Sequence, residues 1–383
     1  MIYHLAGLLK SVFPTLGFLR ILEYITVRSA AALFTAFVLS LLMGPWLIEA
    51  LKRLKAGQPI RKTVGENVRD LSEMHGGKSG TPTMGGVMIL LSILISALLF
   101  CDLTSPMAWL IMLMTIGFGA IGFSDDYLKL RLRNSRGLPG KYKLLAQAAL
   151  GAILAVFLLW QPMGLSYNIA QQSGAEFSYA NLIVPLVKQW SPSLGAFFVP
   201  FVILVLCSTS NAVNLTDGLD GLAIGCTVIG AMAFMVITYL LGRADYSVYL
   251  NFPYVPQGGE LTIVLGAMIG AGLGFLWFNS HPAEIFMGDT GSLALGGVLG
   301  SVAVIIKQEL LLVVIGGIFV IEALSVLLQV GSFKLRGGKR IFRMAPIHHH
   351  FERGGLHESK IIIRFWIVAI LLALIGIASL KLR

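Results

Sequence analysis

The sequence predicts an all-α, polytopic integral membrane protein with about ten transmembrane helices and both termini on the outer side of the membrane. Three observations carry this expectation. Hydrophobic residues make up 56% of the chain and charged residues 13%, with a mean hydropathy of +0.82, far from the balance of a soluble domain. The apolar residues gather into runs long enough to cross about 30 Å of hydrocarbon. The Lys and Arg residues gather between alternate runs.

In chain order the runs lie at 31–48, 83–100, 107–123, 144–160, 196–213, 219–241, 260–278, 290–306, 310–330 and 361–380. Most are rich in Gly, Ala and Ser, which let helix backbones approach closely inside lipid. No repeat and no soluble insertion interrupts them, so residues 1–383 read as one transmembrane domain. The first twenty residues lack the basic start and small-residue cleavage site of a secretory signal, and are expected to be structural. Cys101, Cys207 and Cys226 have no ligand spacing and read as packing residues rather than a disulfide framework or zinc site.

With the N-terminus outside, the inward segments 49–82, 124–143 and 331–360 hold 20 of the 29 Lys and Arg residues. The net charge of +10 is therefore mostly a cytoplasmic rim, suited to membrane lipids and anionic substrates rather than to nucleic acid. Two further inward segments, 208–220 and 279–289, contain no Lys or Arg but carry Asp217, Asp220, Glu284 and Asp289.

Asp125 and Asp126 close a sixteen-residue uncharged run, Met107 to Gly122, and are followed by Lys129. With Asp217, Asp220 and Asp289 they place five aspartates at one membrane face. Two unit charges 4 Å apart repel by about 4 kcal/mol at an effective dielectric near 20, so converging carboxylates call for a cation. All-oxygen ligands suit Mg²⁺, which is commonly shared with substrate phosphates. In Asp217-Gly-Leu-Asp220-Gly-Leu and Gly288-Asp-Thr-Gly-Ser, small and polar residues lead directly into apolar runs. Such helix starts are expected to expose free N–H groups where phosphate oxygens would be stabilised.

The last inward segment holds His348, His349 and His350 in sequence, after a basic stretch from Lys334 to Arg343 with interleaved apolar residues. Metal ligation and hydrogen bonding to a sugar or phosphate both remain open for the histidines. The basic stretch is expected to sit on anionic lipid. Glu322 is an acid deep in a predicted span, with a hydrogen bond to a neighbouring helix as its expected role. A transporter would place its acids along the spans; here they cluster at span ends, which disfavours transport.

These segments resemble the polyprenyl-phosphate N-acetylhexosamine-1-phosphate transferase superfamily, and within it the phospho-N-acetylmuramoyl-pentapeptide transferases. The resemblance rests on Lys78-Ser-Gly-Thr-Pro-Thr-Met-Gly-Gly86, Asp125-Asp-Tyr-Leu-Lys129, Asn211-Ala-Val-Asn-Leu-Thr-Asp-Gly-Leu-Asp-Gly-Leu222, Phe286-Met-Gly-Asp-Thr-Gly-Ser292 and Ala345-Pro-Ile-His-His-His-Phe-Glu352. It implies transfer of phospho-N-acetylmuramoyl-pentapeptide from the UDP-linked donor to undecaprenyl phosphate, giving the lipid-linked diphosphate and UMP, in peptidoglycan synthesis. The same chemistry with a UDP-N-acetylglucosamine donor is the nearer alternative. The resemblance further implies a multi-pass protein of the bacterial cytoplasmic membrane, a homodimer, with its site on the cytoplasmic face and Mg²⁺ as cofactor. By residue, it makes Asp289 the main Mg²⁺ ligand with Asp125 and Asp126 serving metal and lipid phosphate. Lys78, Asn211, Asp217, Gly218, Leu219, Asp220, Asn279 and Phe286 would line the nucleotide pocket, with Phe286 stacking on uracil. Lys141 would neutralise phosphate charge, His348 and His349 would meet the sugar-phosphate part, and Thr83, Lys129 and His350 would also bind substrate.

Overall fold

The computed structural model describes residues 1–12, 17–54, 80–132, 137–160, 178–185, 187 and 190–382. Among them the chain forms helices α1 (Ile2–Val12), α2 (Ile25–Arg53), α3 (Gly86–Phe100), α4 (Pro106–Leu132), α5 (Gly140–Trp160), α6 (Phe198–Thr216) and α7 (Leu222–Leu241). There follow α8 (Ala244–Leu250), α9 (Gly258–Asn279), α10 (Gly288–Ile305), α11 (Glu309–Ile315), α12 (Gly317–Leu335), α13 (Ile347–Glu352) and α14 (Glu358–Ser379). Extended pairing among the described residues is confined to an isolated bridge between Asn181 and Ser193.

Nine helices among the described residues are long and apolar enough to cross a membrane, and α3 is a shorter apolar helix of 15 residues. Together they account for the ten predicted runs, and the chain is a multi-pass membrane protein. Two predicted boundaries shift for local reasons. The run at 310–330 is broken between α11 and α12 at Gly316, glycine being a poor helix former. The run at 219–241 starts as a helix only at Leu222, because residues 217–221 form a turn ending in Gly221 at φ +78°.

Small residues decide what lies at the centre. Nearly every residue of α9 and α10 is buried. Helix α9 lies against α2 and α7, and α10 against α4 and α6; α5 packs on α6, α14 on α7, and α3 beside α2. Gly266, Gly270 and Gly274 of α9 meet Ser29, Leu33 and Ser40 of α2, and a Cβ on Gly270 would lie 2.0 Å from the Leu33 carbonyl oxygen. Gly296 of α10 rests on the Thr209–Ser210 backbone of α6 in the same way. The peripheral helices turn large side chains outward instead. Phe34, Val38, Leu42 and Trp46 of α2 and Ile363, Ile367, Leu371 and Leu374 of α14 form exposed ridges at helical spacing, the pattern of a lipid-facing surface.

This packing brings the ends of α4, α6 and α9 beside the starts of α5, α7, α10 and α14, at one end of the bundle. The loop regions 49–82 and 124–143 are described only at 49–54, 80–82, 124–132 and 137–143, and Lys78 lies outside the described residues.

Candidate active site

The site begins where α4 ends against α10. Gly122 makes the approach possible, since a Cβ there would sit 2.1 Å from the Asp289 carbonyl oxygen. One residue turn further on, Asp125 and Asp126 are both buried, and with Asp289 they offer carboxylate oxygens that all lie within 4.8 Å of one another. The three acids are held differently. Asp126 accepts from the Thr290 N–H at 2.9 Å, the Thr290 hydroxyl at 2.7 Å and the Asp289 N–H at 3.2 Å, so it caps α10 and fixes where Asp289 stands. Gly288, at φ +73°, is needed for that contact: a Cβ would fall 2.6 Å from Asp126 Oδ2. Asp125 Oδ1 accepts from the Leu138 N–H at 2.8 Å. Asp289 is the most accessible of the three.

Two lysines enter this cluster. Lys129 Nζ, one turn beyond Asp125, lies 2.5 Å from Asp125 Oδ2, 3.3 Å from Asp289 Oδ2 and 3.8 Å from Asp126 Oδ1. Lys143 Nζ is 2.5 Å from Asp289 Oδ2. Lys141, which the resemblance assigns to phosphate charge, lies outside this cluster with its Nζ over the Tyr142 ring at 5.1 Å, and Lys143 is the α5 lysine that meets the acids. A signal for this was present. The buried face of α5 runs through Gln147, Gly151, Leu154 and Leu158, and stepping back one turn from Gln147 reaches 143 rather than 141.

The helix starts differ from expectation. Their N–H groups are not free for phosphate: Asp289 and Thr290 donate to Asp126, the Gly221 N–H donates to Asn279 Oδ1 at 3.0 Å, and the Asp220 N–H to Glu358 Oε1 at 2.8 Å. Buried donors must be satisfied, and here the chain supplies its own acceptors. Asp217, partly buried in the turn between α6 and α7, is pushed up to about 8 by burial and by the charges of Asp289, Asp126 and Asp220, against a hydrogen bond from the Gly288 backbone. The cluster thus carries more negative charge than it can hold ionised without a further cation.

The remaining predicted residues divide into struts and open groups. Asn279 donates to the Ile285 carbonyl at 2.8 Å, and the Asp220 carboxylate accepts from Ala283 and meets His281 Nδ1, each at 3.1 Å; both residues brace the loop before α10. His281 and Glu358, which the sequence reading passed over, complete that brace at 3.5 Å. Asn211 donates to Gln147 Oε1 and to the Cys207 carbonyl between α5 and α6. Leu219 is buried, Phe286 is partly exposed, and Gly218 lies at the surface of the turn. The buried Thr83 hydroxyl, with no hydrogen-bond partner among the described residues, is near Gly288. His349 pairs with Glu352 at 2.9 Å, and His350 Nδ1 accepts from the Arg343 N–H at 3.1 Å. His348 is fully buried, with its ring over Gly218.

Residues 108–307 match the sequence model of glycosyl transferase family 4, and residues 78–90 match the phospho-N-acetylmuramoyl-pentapeptide-transferase signature 1. Proteins named phospho-N-acetylmuramoyl-pentapeptide-transferase from Citrifermentans bemidjiense and Pelobacter propionicus are each 50% identical to this chain, over 383 and 386 residues, and one from Oleidesulfovibrio alaskensis is 49% identical over 383. Each alignment covers 100% of both chains. With the paired aspartates of α4, the Gly-Asp start of α10 and the triple histidine all in one aligned length, the chain belongs to the phospho-N-acetylmuramoyl-pentapeptide transferases of glycosyl transferase family 4.

Proposed function

We propose that this chain transfers phospho-N-acetylmuramoyl-pentapeptide from UDP-N-acetylmuramoyl-pentapeptide to undecaprenyl phosphate, releasing UMP, on the cytoplasmic face of the bacterial inner membrane. The observation that carries this reading is the convergence of Asp125, Asp126 and Asp289 with Lys129 and Lys143 where membrane spans end. One substrate is soluble and polyanionic and the other is a lipid with its phosphate at the interface, so span ends are where the two can meet.

The donor set fits Mg²⁺: the ligands are all carboxylate oxygens, they lie within 4.8 Å of one another, and their three negative charges exceed the two lysines that face them. Asp289 and Asp125 would hold the ion, with Asp126 bracing Asp289 from the α10 cap. Bound there, Mg²⁺ supplies charge neutralisation at the donor's diphosphate.

The chain's own groups do the rest. Lys129 and Lys143 offset the charge of the approaching phosphates, and Asp125, fixed by Leu138 and Lys129, orients the acceptor. A phosphate monoester with a second pKa near 6 is largely a dianion at pH 7 and needs no strong base. Its oxygen forms a bond to the phosphorus that carries the sugar, the bridging P–O bond breaks, and UMP leaves.

The test offers UDP-N-acetylmuramoyl-pentapeptide and UDP-N-acetylglucosamine separately to purified protein with undecaprenyl phosphate. UMP release with the first donor alone, and only when lipid is present, is the expected result. Preference for the second donor would replace the substrate. UMP exchange into donor without lipid, in protein stripped of polyprenyl phosphate, would replace direct attack by a covalent intermediate.

A further inference from the structure

Glu322 lies in the first third of α12 and His348 lies in α13, and both are 0% exposed. Glu322 Oε1 and His348 Nδ1 are 3.1 Å apart. Among the described residues, no group makes a well-formed hydrogen bond to either oxygen of Glu322 or to either ring nitrogen of His348. A carboxylate inside a span is costly unless a polar partner meets it, and the facing imidazole is the group in position to do so. The other ring nitrogen points elsewhere. A Cβ on Gly218 would lie 2.3 Å from His348 Nε2, so that nitrogen faces the turn that carries Asp217. His349 Nδ1 meets Glu352 and His350 Nδ1 accepts from the Arg343 N–H, whereas neither ring nitrogen of His348 makes a well-formed hydrogen bond among the described residues.

We propose that Glu322 is a positioning residue for the transfer: it holds His348 with the Nδ1 proton toward its carboxylate, so that Nε2 is presented across Gly218 to a phosphate oxygen of the nucleoside diphosphate-linked donor. The proposal rests on the transferase reading above. A carboxylate on one nitrogen of an imidazole selects the tautomer and fixes the ring plane, the arrangement by which second groups orient histidines at metal and acyl-transfer sites. It also accounts for Gly218, since any side chain there would displace the ring from its place over the turn.

Ring-¹⁵N-labelled histidine in the full-length protein, with the His348 signal assigned by its loss in His348→Asn, reads the pair directly and needs no turnover. Nδ1 protonated in the wild-type protein, with the signal altered in Glu322→Leu, is the expected result; an Nδ1 without a proton in the wild-type protein overturns the proposal. Kinetics supply the second arm. Glu322→Leu should lower kcat about 10- to 100-fold with a smaller change in donor KM, and should cost nothing further in the His348→Asn background. An unchanged kcat, or an equal additional loss in that background, overturns it. If Glu322→Leu does not fold, the wild-type spectrum decides alone. A wild-type protein that used neither UDP-sugar would instead overturn the transferase reading, an outcome the Nδ1 measurement does not depend on.

Discussion

Charges are buried at both ends of this bundle, and the two ends handle them differently. At the end away from the aspartates, Arg28 Nη2 lies 3.0 Å from Glu260 Oε1 and also reaches the Phe100 carbonyl, while the Asp102 N–H donates to Glu260. Lys307 and Glu309, both with fully buried side chains, sit 2.6 Å apart, and Lys307 donates to the Tyr179 carbonyl and faces the Phe198 ring. There each cation has one anion and a backbone acceptor. At the aspartate end, three carboxylates face two lysines, and Asp217 adds a fourth acid that is driven toward its neutral form. Balanced pairs are what a fold needs to tolerate charge in a membrane; a surplus is tolerated only where something else arrives to balance it.

The strongest way to break this contrast is Asp289→Asn. Turnover measured by UMP release should fall by about 10³-fold or more, with the thermal midpoint almost unmoved, because an amide cannot help hold a divalent cation beside a diphosphate. Chelation of Mg²⁺ should abolish the wild-type rate and readdition restore it. Activity near the wild-type level in the variant would remove Asp289 from the site.

Next in size is the paired end. Lys307→Met strands a buried Glu309, and should cost about 3–5 kcal/mol of stability in thermal or denaturant unfolding. The double variant Lys307→Met, Glu309→Leu should recover most of that loss. In both, kcat of the protein that remains folded should stay close to wild type; a specific loss of kcat would mean that this end also serves the chemistry.

A smaller effect separates two neighbouring lysines. Lys143→Met should lower kcat about 100-fold, whereas Lys141→Met should change it by less than about threefold, because Lys143 alone of the two reaches Asp289. The opposite order would favour the lysine that the sequence resemblance named.

The smallest is a pH dependence in protein stripped of divalent cations. Asp217 has a folded value near 8 against about 3.9 for an unperturbed aspartate. Its contribution to stability is therefore fully present below about pH 4 and lost as pH rises toward 8. Melting curves of wild type and Asp217→Asn should diverge across that window, with the variant gaining on wild type at higher pH. Parallel curves would show that the turn relaxes enough to hydrate the carboxylate.

Much of the architecture was legible in the chain because hydropathy is a one-dimensional signal: a run of apolar residues must be helical in lipid wherever it lies in the bundle. The break at Gly316 and the late start of α7 at Leu222 were less legible, since both depend on short Gly-containing turns inside runs that are apolar on average. The aspartates could be picked out for a similar reason, as charges at the ends of long uncharged segments. The lysine was harder: Lys141 and Lys143 are two residues apart on one helix, and only the face that α5 packs on α6 selects between them.

What the sequence determined by itself is therefore composition along a line: the spans, their small-residue faces, and the acids, lysines and histidines at their ends. What only the tertiary structure decided is how those groups are paired. The sequence does not say that Asp126 caps α10, that Asn279 and Glu358 satisfy the N–H groups of the Asp220-Gly221 turn, or that Glu322 meets His348 across about twenty-six positions of chain. Hydrogen bonds and ion pairs act over a few ångströms between residues far apart in sequence, so they are settled only when close-packed glycines such as Gly122 and Gly218 let particular backbones and rings touch.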